Sequence, residues 1–182
     1  MIGYLEILAA LFGFLYIILI VQKKPVGWFF GFLSSLIYVC VCLTNQLYIQ
    51  TGLQAIYALV GIFGFFRWKM IGASIKTISN KNRLIIIISG LIASFVLGYL
   101  FSKSNQVLPY LDALISVFGI IATYLTTEKR VENWIIWMVI NVLSIYLFAN
   151  QALYFSVVLF SAYFIVSFWG YLNWRKEIES NE

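Results

Sequence analysis

Seven apolar segments, each long enough to cross a membrane, are the feature that most constrains the fold of this chain. They lie at about 4–22, 27–44, 50–69, 84–101, 110–127, 133–150 and 153–173. A helix needs about 20 apolar residues to cross the hydrocarbon core of a bilayer. Within that core, backbone polar groups find hydrogen-bond partners only in a helix or a closed barrel. With 63% hydrophobic and 10% charged residues, the sequence predicts an all-α polytopic membrane protein with seven transmembrane helices.

The basic residues are divided unequally between the two sides of these segments. Lys103 lies in a loop after an even-numbered segment, whereas the other basic residues follow odd-numbered segments. These are Lys23, Lys24, Arg67, Lys69, Lys76, Lys81, Arg83, Lys129, Arg130, Arg175 and Lys176. Basic loops stay in the cytoplasm, so we expect the N-terminus outside and the C-terminus in the cytoplasm. The net charge of +5 therefore indicates topology and not a nucleic-acid partner.

An internal repeat organises the chain, because residues 6–69 align with residues 112–175 without a gap. The aligned pairs include Lys23 with Lys129, Trp28 with Trp134, Leu47 with Leu153, Tyr48 with Tyr154, Tyr57 with Tyr163, Gly64 with Gly170 and Trp68 with Trp174, and Glu6 matches Asp112 in kind. One segment separates two units of three, so both units enter the membrane in the same direction. This predicts a 3+1+3 arrangement of parallel triple-helix repeats, as in SWEET-type transporters.

The repeat also predicts the domain boundaries. We expect a first triple-helix bundle at 1–70, a cytoplasmic loop and linker helix at 71–103, and a second triple-helix bundle with a cytoplasmic tail at 104–182. Trp68 and Trp174 end the two repeats beside basic residues, which is typical of aromatic anchors at a membrane interface.

A candidate ligand site lies in the sixth segment, in the stretch N-W-I-I-W-M-V-I-N. Trp134, Trp137 and Asn141 share one helical stripe about 10 Å long. An amide at this depth needs a partner or a function. Trp134 is shared with Trp28 and fits an interfacial anchor as well as a binding residue.

Positions that differ between the repeats are candidates for ligand binding, because an asymmetric ligand requires an asymmetric site. Trp137 aligns with Gly31, and Asn141 aligns with Ser35. Further candidates are Gln54, which lies in the middle of its segment, and Ser35 with Tyr38, one turn apart on the second segment.

These motifs resemble the PnuC family of bacterial vitamin transporters. The most specific is W-x-x-W-x-x-x-N at Trp134, Trp137 and Asn141, and the other two are L-Y-x-x-x-x-L-Q, ending at Gln54, and G-x-x-x-W, ending at Trp68. The resemblance implies a SWEET-like fold and facilitated diffusion of an unphosphorylated vitamin, best known as nicotinamide riboside. It also implies that the protein lies in the bacterial inner membrane, that a cytoplasmic kinase traps the vitamin and that the motif residues line the substrate site.

The site chemistry fits a cationic aromatic ligand. Indole rings attract a pyridinium, and an asparagine amide can bind a carboxamide or a ribose hydroxyl. The sequence has no histidine and no charged residue well inside a segment, although ion-coupled carriers usually need one there. We therefore expect a uniporter without metal or cofactor. Cys40 and Cys42 point to different faces of one segment and form no metal or redox motif.

Four alternatives remain. Thiamine or riboflavin could replace nicotinamide riboside as the vitamin. A seven-helix photoreceptor needs a lysine within the last segment, and Lys176 lies beyond it. An intramembrane enzyme needs a nucleophile with a base, or a metal cluster. A structural membrane protein would leave Trp137 and Asn141 unexplained. The expected partners are the vitamin, membrane lipid and further copies of the chain in a homo-oligomer.

Overall fold

The structure is a computed structural model. It describes residues 2–44, 48–72, 74–103, 108–150 and 154–180, except for the side chains of residues 2, 3, 6, 48–50 and 155. The described residues form seven α-helices: α1 (Ile2–Val21), α2 (Val26–Thr44), α3 (Tyr48–Met70), α4 (Asn80–Phe101), α5 (Pro109–Thr127), α6 (Glu132–Asn150) and α7 (Tyr154–Ser180). The predicted all-α fold with seven helices is confirmed. Leu47, Leu153 and the side chains of Glu6 and Tyr48 lie outside the described residues.

Most of these helices are suited to a membrane. Helices α2, α4, α5 and α6 and the Ser156–Ser180 part of α7 are long and apolar enough to cross a bilayer, and Ile7–Val21 of α1 forms a shorter apolar helix. The chain is therefore a multi-pass membrane protein. The orientation of its termini stays a prediction.

Two helices, α4 and α7, extend at one end by four residues or more beyond the apolar segments that predict them. Helix α4 begins at Asn80, before residue 84, because the Ser79 hydroxyl caps it by accepting a hydrogen bond from the backbone N–H of Asn82. Helix α7 continues past residue 173 to Ser180, where Arg175 and Glu179 pair one turn apart. Both extensions are polar, and hydropathy alone does not reveal them.

The chain divides into two compact units, Met1–Ser74 and Ile75–Glu182. In the first unit α2 packs against α1 and α3, and in the second α4, α5, α6 and α7 pack in chain order. Helix α4, which the sequence predicts as a linker, packs directly on α5. Its Gly90 faces Phe118 and its Gly98 faces Tyr110 so closely that a methyl group at either glycine would collide with the ring.

The α1–α2 and α5–α6 turns have the same local structure. In the first turn the backbone amides of residues 22, 23, 24, 27 and 28 donate hydrogen bonds to the backbone carbonyls of residues 18, 20, 19, 24 and 25, respectively. Each of these hydrogen bonds recurs 106 residues later in the second turn. Lys23 and Lys129 both adopt left-handed backbone conformations, with φ of 59° and 51°. The two turns are thus equivalent, while the complete SWEET-type repeat stays a prediction.

The prediction that Trp68 and Trp174 anchor a membrane interface is wrong. Their side chains are 2% and 0% exposed. Trp68 packs edge-to-face on Trp28 with 5.6 Å between ring centroids, and Trp174 packs in the same way on Trp134 at 5.3 Å. The neighbouring basic residues suggested an interface, but each ring is buried by a tryptophan from the second helix of its own repeat.

The segment before α4 is attached to the α5–α6 turn. Lys76 and Arg130 form a parallel β-bridge. The Lys76 amide donates to the Lys129 carbonyl at 3.0 Å, and the Val131 amide donates to the Lys76 carbonyl at 3.1 Å. These bonds explain why the second unit begins at Ile75 and not at the start of α4.

Candidate functional site

Helix α6 carries all three residues of the tryptophan and asparagine motif. It begins at Glu132, directly after the turn that contains Lys129. Trp134, Trp137 and Asn141 therefore occupy its first three turns, and the helical period places them along one face. The three side chains differ in burial, which separates their functions.

Trp134 is part of the packing between α6 and α7. Its side chain is 1% exposed, and its ring lies so close to Gly170 that a Cβ atom there would be 2.7 Å from it. An interfacial anchor would be exposed at the surface, so that interpretation does not fit this ring. The indole Nε1 has no hydrogen-bond partner within the described residues.

Asn141 links α6 to α7 through a polar pair. Its side chain is 1% exposed, and its Nδ2 donates to Ser167 Oγ at 3.3 Å. Ser167 Oγ in turn donates to the Tyr163 carbonyl at 2.7 Å. A neutral hydrogen bond of this kind contributes about 0.5–1.5 kcal/mol to stability. The pair therefore holds the amide in a defined position between two apolar helices.

Trp137 differs from the other two motif residues because its side chain is only half-buried. It lies one turn from Trp134 and one turn from Asn141 on the same face of α6. Part of its ring can therefore contact a ligand without rearrangement of the α6–α7 packing. Trp137 therefore has the most accessible side chain of the three motif residues, and its assignment to a ligand site stays a prediction.

The other candidates, Ser35, Tyr38 and Gln54, lie in the first unit. Ser35 is 8% exposed, and Tyr38 follows it by one turn on α2. Tyr38 and Gln54, which belongs to α3, are half-buried. Their assignment to a ligand site stays a prediction.

Ser167, the hydrogen-bond partner of the candidate residue Asn141, is a residue that the sequence analysis missed. Its counterpart in the repeat is Gly61, just as Ser35 is the counterpart of Asn141. A Cβ atom at Gly61 would lie 3.2 Å from the backbone of Phe32. The first unit thus has a close helix contact where the second has a polar pair. A comparison of the repeats at position 167 would have revealed this difference.

A second polar cluster, also missed, lies at the start of α6. Glu132 Oε1 accepts hydrogen bonds from the backbone N–H of Ile78 at 2.9 Å and from Arg83 Nη2 at 2.6 Å and Nε at 3.2 Å. Glu132 Oε2 is buried and has no partner within the described residues. The ion pair joins residues 49 positions apart, so no local pattern predicts it. In the same described residues, no group of His, Cys, Asp and Glu side chains could hold a metal ion.

Comparison with known proteins identifies the family. The family model described as "Nicotinamide mononucleotide transporter" matches residues 3–176. The chain belongs to the PnuC family of membrane transporters. The resemblance carried by Trp134, Trp137 and Asn141 is thereby confirmed, and the relatives are transporters and not enzymes.

Named relatives of this PnuC-family chain agree with that assignment. "Nicotinamide riboside transporter PnuC" of Haemophilus influenzae is 25% identical over 187 residues, which cover 97% of this chain and 81% of the relative. The protein of the same name from Neisseria mucosa is 25% identical over 194 residues, covering 97% and 74%. A structure described as "Crystal structure of the Vitamin B3 transporter PnuC" matches with a TM-score of 0.80 and 25% identity, covering 99% of this chain and 84% of that one.

Proposed function

We propose that this chain carries nicotinamide riboside across the membrane by facilitated diffusion. Its family and the names of its relatives support a vitamin substrate. The observation that carries the proposal is the half-buried Trp137 ring beside the buried Asn141 and Ser167 pair. An aromatic face and a fixed amide thus lie one turn apart on a helix of a membrane transporter.

The chemistry of the two residues matches the two parts of the vitamin. The indole face of Trp137 stacks on the pyridinium ring, a cation–π contact of about 0.5–2 kcal/mol depending on desolvation. Besides the N–H that it donates to Ser167, the Asn141 amide offers one acceptor and one further donor for the carboxamide or the ribose hydroxyls. Because Ser167 holds the amide, little orientational freedom is lost on binding. Trp134 keeps α6 in place against α7.

The distribution of charge favours the riboside over its phosphorylated form. The basic residues within the seven helices all lie near helix ends. They are Arg67, Lys69, Lys81, Arg83, Arg175 and Lys176. A phosphate group entering the membrane interior would therefore meet no arginine or lysine to pair with. The uncharged side chains of the site suit a substrate without phosphate.

The same distribution supports uniport. A carrier driven by protons or ions usually needs an ionisable group at membrane depth. Asp112 and Glu132 lie in the first turns of α5 and α6, and the chain has no histidine. Transport then follows the gradient of the vitamin, and phosphorylation by a cytoplasmic kinase keeps the product inside the cell, as the family resemblance implies.

Transport into proteoliposomes tests the substrate and the site together. Vesicles containing the purified protein should take up labelled nicotinamide riboside, and an excess of unlabelled riboside should compete more strongly than nicotinamide mononucleotide, thiamine or riboflavin. Trp137→Ala should lower uptake roughly tenfold or more through loss of the stacking contact. Trp169→Ala is the matched control, because Trp169 on α7 is 40% exposed and lies outside the motif. Equal loss in both variants, or uptake of thiamine alone, would contradict the proposal.

The uniport mechanism has a separate test. In kinase-free vesicles, initial uptake should be unchanged by a protonophore or by replacement of sodium with potassium. Preloaded unlabelled riboside should accelerate the entry of labelled riboside by counterflow. Dependence of the initial rate on a proton or sodium gradient would show that transport is coupled.

A further inference from the structure

The second unit contains a groove between α4 and α6. Helix α5 packs against both, whereas the backbones of α4 and α6 make no contact with each other in the part of the chain that the structure describes. Two cavities of about 280 Å³ and 330 Å³ fill this gap and share Ile87, Ile135 and Ile136 as lining residues. They form one continuous groove, with α4 and α6 as its walls and α5 as its floor.

This groove is apolar along most of its length and charged at one end. The second cavity is lined only by apolar side chains, among them Leu91 and Leu143. The first ends at Arg83, Glu132 and Arg175, next to Tyr171. From Glu132 to Leu143, helix α6 rises about 16 Å. A groove with a charged end and an apolar course along membrane-spanning helices has the polarity of a phospholipid, with headgroup and acyl chain in line.

The charged end can bind both parts of a zwitterionic headgroup. The side chains of Arg83 and Arg175 are 46% and 54% exposed, and each guanidinium has five N–H donors, more than the structure uses. These donors suit a phosphate. Glu132 is 7% exposed, and its buried Oε2 has no partner within the described residues. An unpaired buried carboxylate oxygen is unfavourable, and an ammonium group would satisfy it.

The balance of charge also favours a zwitterion over an anion. Arg83 pairs with Glu132, and Arg175 pairs with Glu179, so these four side chains carry no net charge. We propose that the groove binds one ethanolamine phospholipid from the leaflet beside the basic loops. Its phosphate lies at Arg83 and Arg175, its ammonium at Glu132, and one acyl chain between α4 and α6. The assignment rests on the second unit alone and is independent of the transported substrate.

Native mass spectrometry of the detergent-purified protein with three lipids of identical acyl chains tests the proposal. Phosphatidylethanolamine and phosphatidylcholine are both zwitterionic, but the choline headgroup has no N–H donor for Glu132. Phosphatidylglycerol has donors and a net negative charge. One ethanolamine lipid should bind per chain, roughly tenfold more tightly than either of the other two.

Paired variants distinguish the groove from the surrounding lipid. Leu91→Trp fills the apolar part, whereas Ile92→Trp places the same ring on the next residue, which is 61% exposed and does not line the groove. Leu91→Trp should abolish the bound lipid, and Ile92→Trp should leave its affinity within about twofold. Arg83→Gln should weaken binding of the ethanolamine lipid, and Lys81→Gln, two residues away, should not.

Three results would overturn the proposal. Equal binding of the three lipids would show only an unspecific annular shell. Tighter binding of phosphatidylglycerol would contradict the role given to Glu132. A change in subunit number with Leu91→Trp, without a change in bound lipid, would show that the groove is an interface between copies of the chain.

Discussion

The half of the molecule formed by α1, α2 and α3 and the half formed by α5, α6 and α7 are alike around their tryptophans. In each half a lysine with a left-handed backbone conformation lies in the turn between the first two helices. In each, a buried indole packs edge-to-face on a second tryptophan and covers a glycine. The Nε1 atoms of Trp28 and Trp134 also correspond, since neither has a hydrogen-bond partner among the described residues. These shared features form the scaffold of each half.

The two halves differ two turns farther along their middle helices. In the second half Asn141 and Ser167 form a hydrogen bond between α6 and α7. In the first half the same positions hold Ser35 and Gly61, and Gly61 lies against the backbone of Phe32. Two similar scaffolds can thus present different surfaces. Under the proposed function, the polar pair of the second half contacts the ligand and its tryptophan pair stabilises the fold.

Removal of the buried indole of Trp28 or Trp134 should have the largest effect on folding stability. Trp28→Ala and Trp134→Ala each delete a large side chain that is 1% exposed, and such a change costs about 3–5 kcal/mol of folding stability. Thermal unfolding in detergent, followed by circular dichroism, should show similar losses for both. Trp169→Ala, at a surface position, should change the unfolding temperature much less. A stable Trp134→Ala protein that fails to transport would show that this residue serves the ligand and not the scaffold.

Substitution of the glycines that pack against these tryptophan rings should have the next largest effect on folding stability. In Gly64→Ala and Gly170→Ala the new Cβ would lie 2.5 Å and 2.7 Å from a tryptophan ring, and such overpacking costs about 1–3 kcal/mol. Gly52→Ala on α3 is the control because nothing lies within 4 Å of its Cβ position. That change should be neutral or stabilising by up to about 1 kcal/mol, since alanine is the better helix former. The same unfolding assay should therefore give opposite signs, and a neutral Gly170→Ala would break the equivalence of the halves.

The polar pair should have a smaller effect that is confined to the second half. Ser167→Ala removes the hydroxyl that accepts from Asn141 and should cost about 1 kcal/mol. Ser161→Ala is the control. Among the described residues, the Ser161 hydroxyl bonds only to the Val157 carbonyl one turn earlier in α7, so its loss should hardly change the unfolding temperature. Ser167→Ala should also weaken riboside binding, because the amide is no longer held. Equal unfolding temperatures of the two serine variants would contradict a stabilising hydrogen bond between α6 and α7.

The smallest effect on stability is expected for the last turns of α7, which have no counterpart in the shorter helix α3. Arg175 and Glu179 form an exposed pair one turn apart, with Nε 2.9 Å from Oε1, and exposed pairs of this kind contribute little to stability. Glu179→Gln should lower the unfolding temperature slightly at low ionic strength and leave it unchanged at high salt. A large loss at both salt concentrations would show that the extension has a packing function.

The sequence predicts the helices well because each membrane span is a long apolar run. It also predicts Trp137 and Asn141 as distinctive, because their repeat counterparts are Gly31 and Ser35. It does not predict the burial of Trp68 and Trp174, since a tryptophan next to basic residues is equally typical of an interface and of a helix-packing contact. The Arg83 and Glu132 pair is missed because tertiary folding brings together two residues that sequence spacing does not relate.

Calorimetric titration of nicotinamide riboside into the detergent-purified protein and into Asn141→Ser tests the central claim most directly. This substitution places at position 141 the serine that its repeat counterpart, Ser35, has in the first half. The wild-type chain should bind the riboside, and the variant should bind roughly tenfold more weakly, with an unfolding temperature close to that of Ser167→Ala. Unchanged affinity in the variant, or no binding of the riboside by the wild-type chain, would contradict the account.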